Sequence, residues 1–482
     1  MRIILIFILL FFVACSSDSE TSPEPNNSSN DDTVEQQEDV TLATVVIEDI
    51  FGITSDSAET GGNVTDEGNG TVTRKGICWS TSPNPDITDN TTNNGAGMGA
   101  FASQLNGLSS GTTYYARAYA TNESGTSYSQ ELSFETVVLA CSGILDTFQI
   151  TINSQDELDD FASNNYCGVT GTLQIADALD ILDLTQLSSL ETLGGLEIRN
   201  CDNLKSLDGL ENIFSFLNDG LFIRSNELLN DLSALNQVPG VGGLVIENNA
   251  SLTSLNGLNF TVDETHQISI KFNESLTSIE DLSNFTTLSG QLEIVNNLSL
   301  PNLNGLHNIT TIDGFVLISQ TDLIDLQGLN SIETIGGYLH LLSNNSLETL
   351  TGLNNLQSVG EIFLIKNNIE LNSLDALTEL EQVLGDFEIN STKIEDFNGL
   401  LQLQAIGAEL DISGNDFLSS LNGLDNLLTI GGDLNIRFND LLVDYCALQS
   451  MLTAGGLGGA YIVMDNGYDP SEADIIAGNC SN

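Results

Sequence analysis

The strongest constraint on the fold is a repeat that occupies residues 171–442. Short apolar segments recur there, each followed by polar residues and by leucines three apart, as in 339-LHLLSNNSLETLTGL-353. We align the repeats on the second inward residue of each apolar segment, and these anchors lie about 24 residues apart. The anchors are Ile175, Ile198, Ile223, Ile246, Ile270, Ile294, Leu317, Leu341, Leu364, Ile389, Ile412 and Ile436. One such unit cannot bury its apolar side alone, so the repeat predicts a β-solenoid of about twelve stacked coils.

Most coils carry an asparagine three residues after the anchor. An Asn side chain turned inward at a bend can bond the backbone of adjacent coils, where no strand partner is available. The predicted ladder comprises Asn226, Asn249, Asn273, Asn297, Asn344, Asn367, Asn415 and Asn439, with Cys201 in the same place in the second coil. Cys201 is therefore predicted to be a buried free thiol rather than a metal ligand.

The repeat order L-x-I-x-x-N-x-x-L-x-x-L-x-x-L, preceded by 141-CSGILDTFQITINSQDELDDFASNNYCGVTGTLQI-175, resembles the receptor L domain. That family is a leucine-rich-repeat-related β-helix that binds ligands in insulin- and EGF-type receptors. The resemblance implies a right-handed β-helix at 171–442, an N-terminal cap at 141–170 and a C-terminal cap at 443–482. It also implies cap disulfides Cys141–Cys167 and Cys446–Cys480, which an oxidising exterior permits. Whether the coils form one array or two fused L domains stays open.

The N-terminus has the organisation of a secretory signal. A charged start is followed by the apolar run 3–14, which is too short to span a bilayer, and then by 12-FVAC-15. This string resembles the lipobox of bacterial lipoproteins, and 16-SSDSE-20 is similar to the export signal of Bacteroidetes surface lipoproteins. The resemblance implies a signal peptide at 1–15, lipidation of Cys15, and an outer-membrane protein that faces the cell exterior. An ordinary cleaved signal peptide is the alternative, and residues 16–40 predict a disordered tether.

Residues 41–137 contain short alternating segments separated by turn residues, which predicts a small antiparallel β-sandwich. The run 108-LSSGTTYYARAYATNESGTSYS-129 resembles the last strands of a fibronectin type III module. By that resemblance Tyr114 makes the tyrosine corner, and the module serves as a spacer. The predicted fold class is thus mainly β, with a small sandwich followed by a β-helix.

Charge and motifs limit the possible functions. The net charge is −56, so we exclude nucleic acid as a partner and expect membrane contact only through the N-terminal lipid. The three histidines do not converge in the repeat frame and the usual catalytic motifs are missing, so we expect no enzyme, no cofactor and no metal, with a Ca²⁺ site on the acidic segment 463-VMDNGYDPSEAD-474 as the alternative. A basic column, Arg199, Arg224 and Lys271, points outward from the strands. It either contributes to binding or relieves the charge of acidic loops.

The candidate binding surface is the outward face of the strands. With the anchors above, the middle coils expose a patch formed by Val295, Val316, Ile318, His340, Leu342, Phe363 and Ile365. Exposed apolar patches of a few hundred Å² usually mark interaction sites. We therefore expect non-catalytic recognition of, or adhesion to, an extracellular protein or glycan, with self-association through the patch as a further option. The alternatives are intramolecular cover of the patch, a β-helix polysaccharide lyase, and a structural envelope protein.

Overall fold

The computed structural model describes residues 39–138, 141–217, 220–258, 260 and 266–482. The predicted signal peptide, Cys15 and almost all of the predicted tether lie outside these residues. Strands are numbered β1–β31 and helices α1–α3 in chain order. The described chain is mainly β, with a small antiparallel part followed by a long parallel β-solenoid.

The antiparallel part consists of two sheets that share one apolar core. Strands β1, β2 and β5 form one sheet, and β3, β4, β6, β7 and β8 form the other. The core residues alternate along the strands, and in the longest strand they include Tyr114, Ala116, Ala118 and Ala120. The hydroxyl of Tyr114 accepts a hydrogen bond from the Ser109 N–H at 3.0 Å, which fixes the turn before that strand. The strands are β1 (Thr44–Ile47), β2 (Ala58–Asp66), β3 (Arg74–Ser80), β4 (Asn90–Thr91), β5 (Gly99–Leu105), β6 (Thr113–Asn122), β7 (Gly125–Tyr128) and β8 (Leu132–Glu135).

The solenoid is built on a front sheet of parallel strands that pair in chain order, one strand per coil. We number the coils 1 to 12 in chain order, from the coil that contains β11 to the coil that contains β30. One more strand extends the front sheet at each end, β10 before coil 1 and β31 after coil 12. Before coil 1 lie β9 (Ile144–Leu145), β10 (Gln149–Ile152) and helix α1 (Gln155–Ser163). The front strands are β11 (Gly168–Ala176), β12 (Thr192–Arg199), β14 (Leu221–Arg224), β15 (Leu244–Glu247), β16 (Ile268–Lys271), β18 (Leu292–Val295), β20 (Val316–Ser319), β22 (Leu339–Leu342), β24 (Phe363–Lys366), β26 (Phe387–Asn390), β28 (Leu410–Ser413), β30 (Leu434–Arg437) and β31 (Tyr461–Met464).

A second, narrower parallel sheet runs along another side of the solenoid. Leucines at three-residue steps between the two sheets fill the interior, and almost all of them are fully buried. The strands of this sheet are β17 (Thr287–Leu288), β19 (Thr311–Ile312), β21 (Thr334–Ile335), β23 (Ser358–Val359), β25 (Gln382–Val383), β27 (Ala405–Ile406) and β29 (Thr429–Ile430); the isolated β13 (Ser215–Phe216) pairs with β12.

Both ends of the solenoid are closed by disulfide-bonded caps, as predicted. Cys141 bonds Cys167 beside helix α1, and Cys446 bonds Cys480 beside helices α2 (Gln449–Thr453) and α3 (Glu472–Ile476). The Ser154 side chain caps α1 by accepting from the Glu157 N–H. These elements cover apolar edges that the terminal coils would otherwise leave open to water.

The asparagine ladder lies inside the bend after each front strand. In a typical step, the Asn249 Oδ1 accepts from the Asn226 N–H at 3.2 Å, and the Asn249 Nδ2 donates to the Ile223 carbonyl at 3.0 Å. Each rung therefore bonds backbone groups that the strands cannot reach. The following predicted members are fully buried: Cys201, Asn226, Asn249, Asn273, Asn297, Asn344, Asn415 and Asn439.

The ladder prediction is wrong at one coil. Asn367 is exposed and adopts a left-handed backbone with φ 56°, and its neighbour Asn368 is the buried rung. Two further rungs carry threonine: the N–H of Thr321 donates to Asn344 Oδ1 at 3.1 Å, and the N–H of Thr392 donates to Asn415 Oδ1 at 3.1 Å. Cys201 is a free buried thiol, and burial raises its pKa to about 11.

Candidate functional site

The outward face of the front sheet presents three columns of side chains, and the strand pairing sets their order. In coils 7, 8 and 9, Ile318 pairs with Leu341 and Leu341 with Ile365, so these three residues are the inward anchors. The outward middle column therefore runs Glu293, Leu317, His340, Leu364, Glu388, Asp411 and Asn435. The column before it contains Phe315, Tyr338, Ile362, Asp386, Glu409 and Asp433, and the column after it contains Val295, Ser319, Leu342, Lys366, Asn390, Ser413 and Arg437.

This register corrects the predicted binding patch. Val316, Ile318, Phe363 and Ile365 are each 0% exposed and belong to the core. The predicted anchors of coils 7 and 9 lie one residue too early, at Leu317 and Leu364. Because a shift of one residue turns every side chain of a strand to the other face, the residues predicted to point outward in these two coils point inward. His340 and Leu342 do lie on the outward face and are partly exposed, whereas Val295 lies there but is almost covered, at 9% exposure.

An apolar cluster nevertheless occupies the middle of the outward face. We define it as the partly exposed apolar and aromatic residues on the outward face of coils 7 to 9: Phe315, Leu317, Tyr338, His340, Leu342, Ile362 and Leu364. The apolar cluster therefore lies where the patch was predicted. Five of the seven residues in the cluster were not among the predicted ones. The cluster is flanked by charged coils on both sides. Neighbouring front strands lie about 4.8 Å apart, so it is a continuous surface across three strands.

Three rings form the centre of the apolar cluster. Tyr338 stacks on Phe315 of the previous coil with 4.4 Å between ring centroids, and on His340 of its own coil with 4.1 Å. The interplanar angles are 14° and 25°, so the three rings are nearly parallel. Offset stacks of this kind are worth about 0.5–1.5 kcal/mol per pair beyond simple burial. The rings therefore hold one another in place.

His340 joins the stack as a desolvated ring. Desolvation lowers its pKa, which favours the neutral ring at physiological pH. Its Nε2 is buried and has no hydrogen-bond partner within the described part of the chain. A neutral imidazole stacked on Tyr338 is thus an amphipathic contact surface.

The predicted basic column is neutralised by adjacent acids. Arg199 pairs with Asp177 at 3.2 Å, Arg224 pairs with Glu197 at 2.7 Å and Lys271 pairs with Glu293 at 2.7 Å. Each of these pairs joins consecutive coils, so the cations offset the charge of carboxylates on neighbouring strands. This arrangement favours charge relief over a free cationic binding surface.

The next three coils carry an acidic cluster on the same face. We define it as the carboxylates of Asp386, Glu388, Glu409, Asp411 and Asp433. Glu388 lies directly opposite Asp411 in the strand pairing. Desolvation raises the pKa of Glu388, the charges of Asp411, Asp386 and Glu409 raise it further, and Lys366 lowers it. The fold thus holds like charges side by side here.

The comparisons with known proteins do not identify a family. No protein-family model matches the chain, and a search of curated proteins found no match. Among solved structures, the sensor domain of the anti-sigma factor RsgI4 from Pseudobacteroides cellulosolvens is 20% identical and has a TM-score of 0.17. The match covers 21% of this chain and 100% of that one.

No helix among the described residues has the length and apolar character needed to cross a membrane. Within the same residues, no group of three or more His, Cys, Asp or Glu side chains is placed to hold a metal ion.

Proposed function

We propose that this chain is a cell-surface lipoprotein that recognises or adheres to an extracellular partner through the outward face of its front sheet, without catalysis. The observation that carries the proposal is the apolar cluster, in which stacked rings and leucines lie on a flat sheet face between charged coils. Contiguous exposed apolar surface with a polar rim is typical of interaction sites. A solenoid suits this role because it presents many side chains on one extended, rigid surface.

The rest of the chain fits the same proposal. The lipobox-like 12-FVAC-15 would attach the protein to an outer membrane of the Bacteroidetes type through Cys15. The tether and the fibronectin-type sandwich would then act as spacers that hold the solenoid away from the membrane. Disulfides at both caps suit an oxidising exterior.

The proposal is tested by binding of the full chain to a glycan array and to a panel of purified extracellular proteins. The test variant is Leu317→Ser with Leu364→Ser, which removes apolar surface from the cluster without touching the core. The control variant is Leu384→Ser with Leu428→Ser, which removes the same side chains from exposed positions beside the second sheet.

We expect at least one ligand that loses tenfold or more in affinity with the test variant and keeps its affinity with the control variant. If every bound ligand keeps full affinity for the test variant, the outward face is not the recognition surface.

A further inference from the structure

We propose that the partner of this face is a basic polypeptide segment that lies across coils 7 to 12. Its apolar side chains would contact the apolar cluster, and its Lys or Arg side chains would contact the acidic cluster. This inference rests on the proposed function, because it names the class of partner for the same surface. Five steps of about 4.8 Å separate coil 7 from coil 12, so about seven extended residues would span both clusters.

The first support is the excess of carboxylates over cations in the acidic cluster. In coils 2 to 6 the outward acids are interleaved with cations, as in the pairs Arg224–Glu197 and Lys271–Glu293. In coils 10 and 11, by contrast, Glu388 faces Asp411 across the strand pair. Like charges directly opposite each other destabilise a sheet, so a cation placed between these strands would be bound favourably. Lys366 and Arg437 are the resident cations of this region, and Arg437 approaches Asp411 only to 3.7 Å.

The second support is a buried amide within the acidic cluster. Asn435 is 5% exposed, and its Nδ2 donates to Glu409 Oε1 at 3.2 Å and to Asp411 Oδ2 at 3.1 Å. These bonds fix the orientation of the amide, because a flipped amide would direct its oxygen at two carboxylates. The Oδ1 of Asn435 and the Oδ1 of Asn390 both lack a donor in the described structure. Both of these oxygens are buried, so the acceptors that the surface itself offers are the carboxylates of the acidic cluster, which complement ammonium and guanidinium groups.

The third support favours a polypeptide over a sugar chain as the partner. Sugars dock on aromatic side chains through exposed ring faces, because their C–H groups contact the π-electrons. In the apolar cluster Tyr338 takes part in two near-parallel stacks, with Phe315 and with His340, so its ring faces are engaged within the protein. The partly exposed aliphatic side chains of Leu317 and Leu364 lie beside this stack, and they fit the side chains of a polypeptide.

The test is selection of a random 12-residue peptide library on the immobilised full chain, followed by affinity measurements on the enriched peptides. Three variants are compared with the wild type. The acid variant is Glu388→Gln with Asp411→Asn. The control variant, Glu333→Gln with Glu381→Gln, makes the same net change of charge at exposed positions beside the second sheet. The cluster variant is Leu317→Ser with Leu364→Ser.

We expect enriched peptides that carry both Lys or Arg and apolar residues. Their affinity should fall tenfold or more with the acid variant and with the cluster variant, and it should change less than twofold with the control variant. Equal losses with the acid and control variants would mean nonspecific attraction to a chain of net charge −56, and would overturn the inference.

Other outcomes overturn the inference in distinguishable ways. Peptides that need the apolar cluster but tolerate the acid variant would leave the proposed function standing and remove the basic partner. Binding of a glucosamine hexamer, with no enriched peptide, would assign the face to an amino sugar instead. If no peptide is enriched and no hexamer binds, the basic partner is rejected, while the binding panel still tests the proposed function.

Discussion

Substitution of the buried rung Asn368 should weaken the solenoid far more than substitution of the adjacent Asn367. The Asn368 Oδ1 accepts from the Asn344 N–H at 2.9 Å, and its Nδ2 donates to the Leu341 carbonyl at 2.8 Å. Asn368→Ala removes both bonds and leaves a buried N–H without a partner. Each buried group left unsatisfied costs about 1–3 kcal/mol, so we expect a loss of about 2–4 kcal/mol in the free energy of unfolding.

Asn367→Gly is the matched control. Asn367 is exposed and has φ 56°, a backbone conformation that glycine adopts without strain. The control should therefore change the free energy of unfolding by no more than about 0.5 kcal/mol.

The assay is urea unfolding followed by circular dichroism, together with hydrogen exchange of coils 8 and 9, because long repeat arrays do not always unfold in one step. Asn368→Ala should lower the urea midpoint and speed exchange in coils 8 and 9 by about 30-fold or more. Equal midpoints for the two variants, or a larger effect of Asn367→Gly, would refute the assignment of Asn368 to the ladder.

Three further predictions follow from the same structure. Ile318→Asp should prevent folding of the solenoid, because it places a carboxylate in the core. Leu317→Asp changes an outward residue and should leave the circular dichroism spectrum unchanged. Similar spectra for the two variants would contradict the strand register. Desolvation and the neighbouring carboxylates raise the pKa of Glu388 in the folded protein, so the protein gains stability as pH falls through that raised pKa; Glu388→Gln should raise the melting temperature at pH 7 and lessen the gain on acidification, and an unchanged pH profile would count against the like-charge cluster. Cys15→Ser should move the protein from the membrane fraction to the soluble fraction and abolish labelling with a fatty-acid probe, while retained labelling would exclude Cys15 as the lipidated residue.

Most of the fold follows from sequence periodicity. The coil length of about 24 residues, the leucine steps and the anchors at Ile294 and Ile389 were predictable because acids alternate with apolar residues around those anchors. The cap disulfides were predicted from the resemblance to the receptor L domain, and the structure confirms them. The strands β10 and β31, which extend the front sheet beyond the twelve predicted coils, belong to caps whose sequences depart from the repeat.

The register of coils 7 and 9 was not predictable from periodicity alone. The segments 315-FVLI-318 and 362-IFLI-365 are apolar at every position, so they contain no polar residue to show which side faces water. The tandem Asn367 and Asn368 is ambiguous for a related reason. A left-handed bend and a ladder rung both favour asparagine, and only the stacked neighbours separate the two roles.

We propose that the outward face of coils 7 to 9 is the surface on which this protein binds its partner. The most direct test is hydroxyl-radical footprinting of the full chain, alone and with a ligand taken from the binding panel. We expect ligand-dependent protection of Tyr338, Leu317 and Leu364, and no change at the exposed Leu384 and Leu428. Protection confined to other surfaces, with the apolar cluster equally reactive in both samples, would contradict the account.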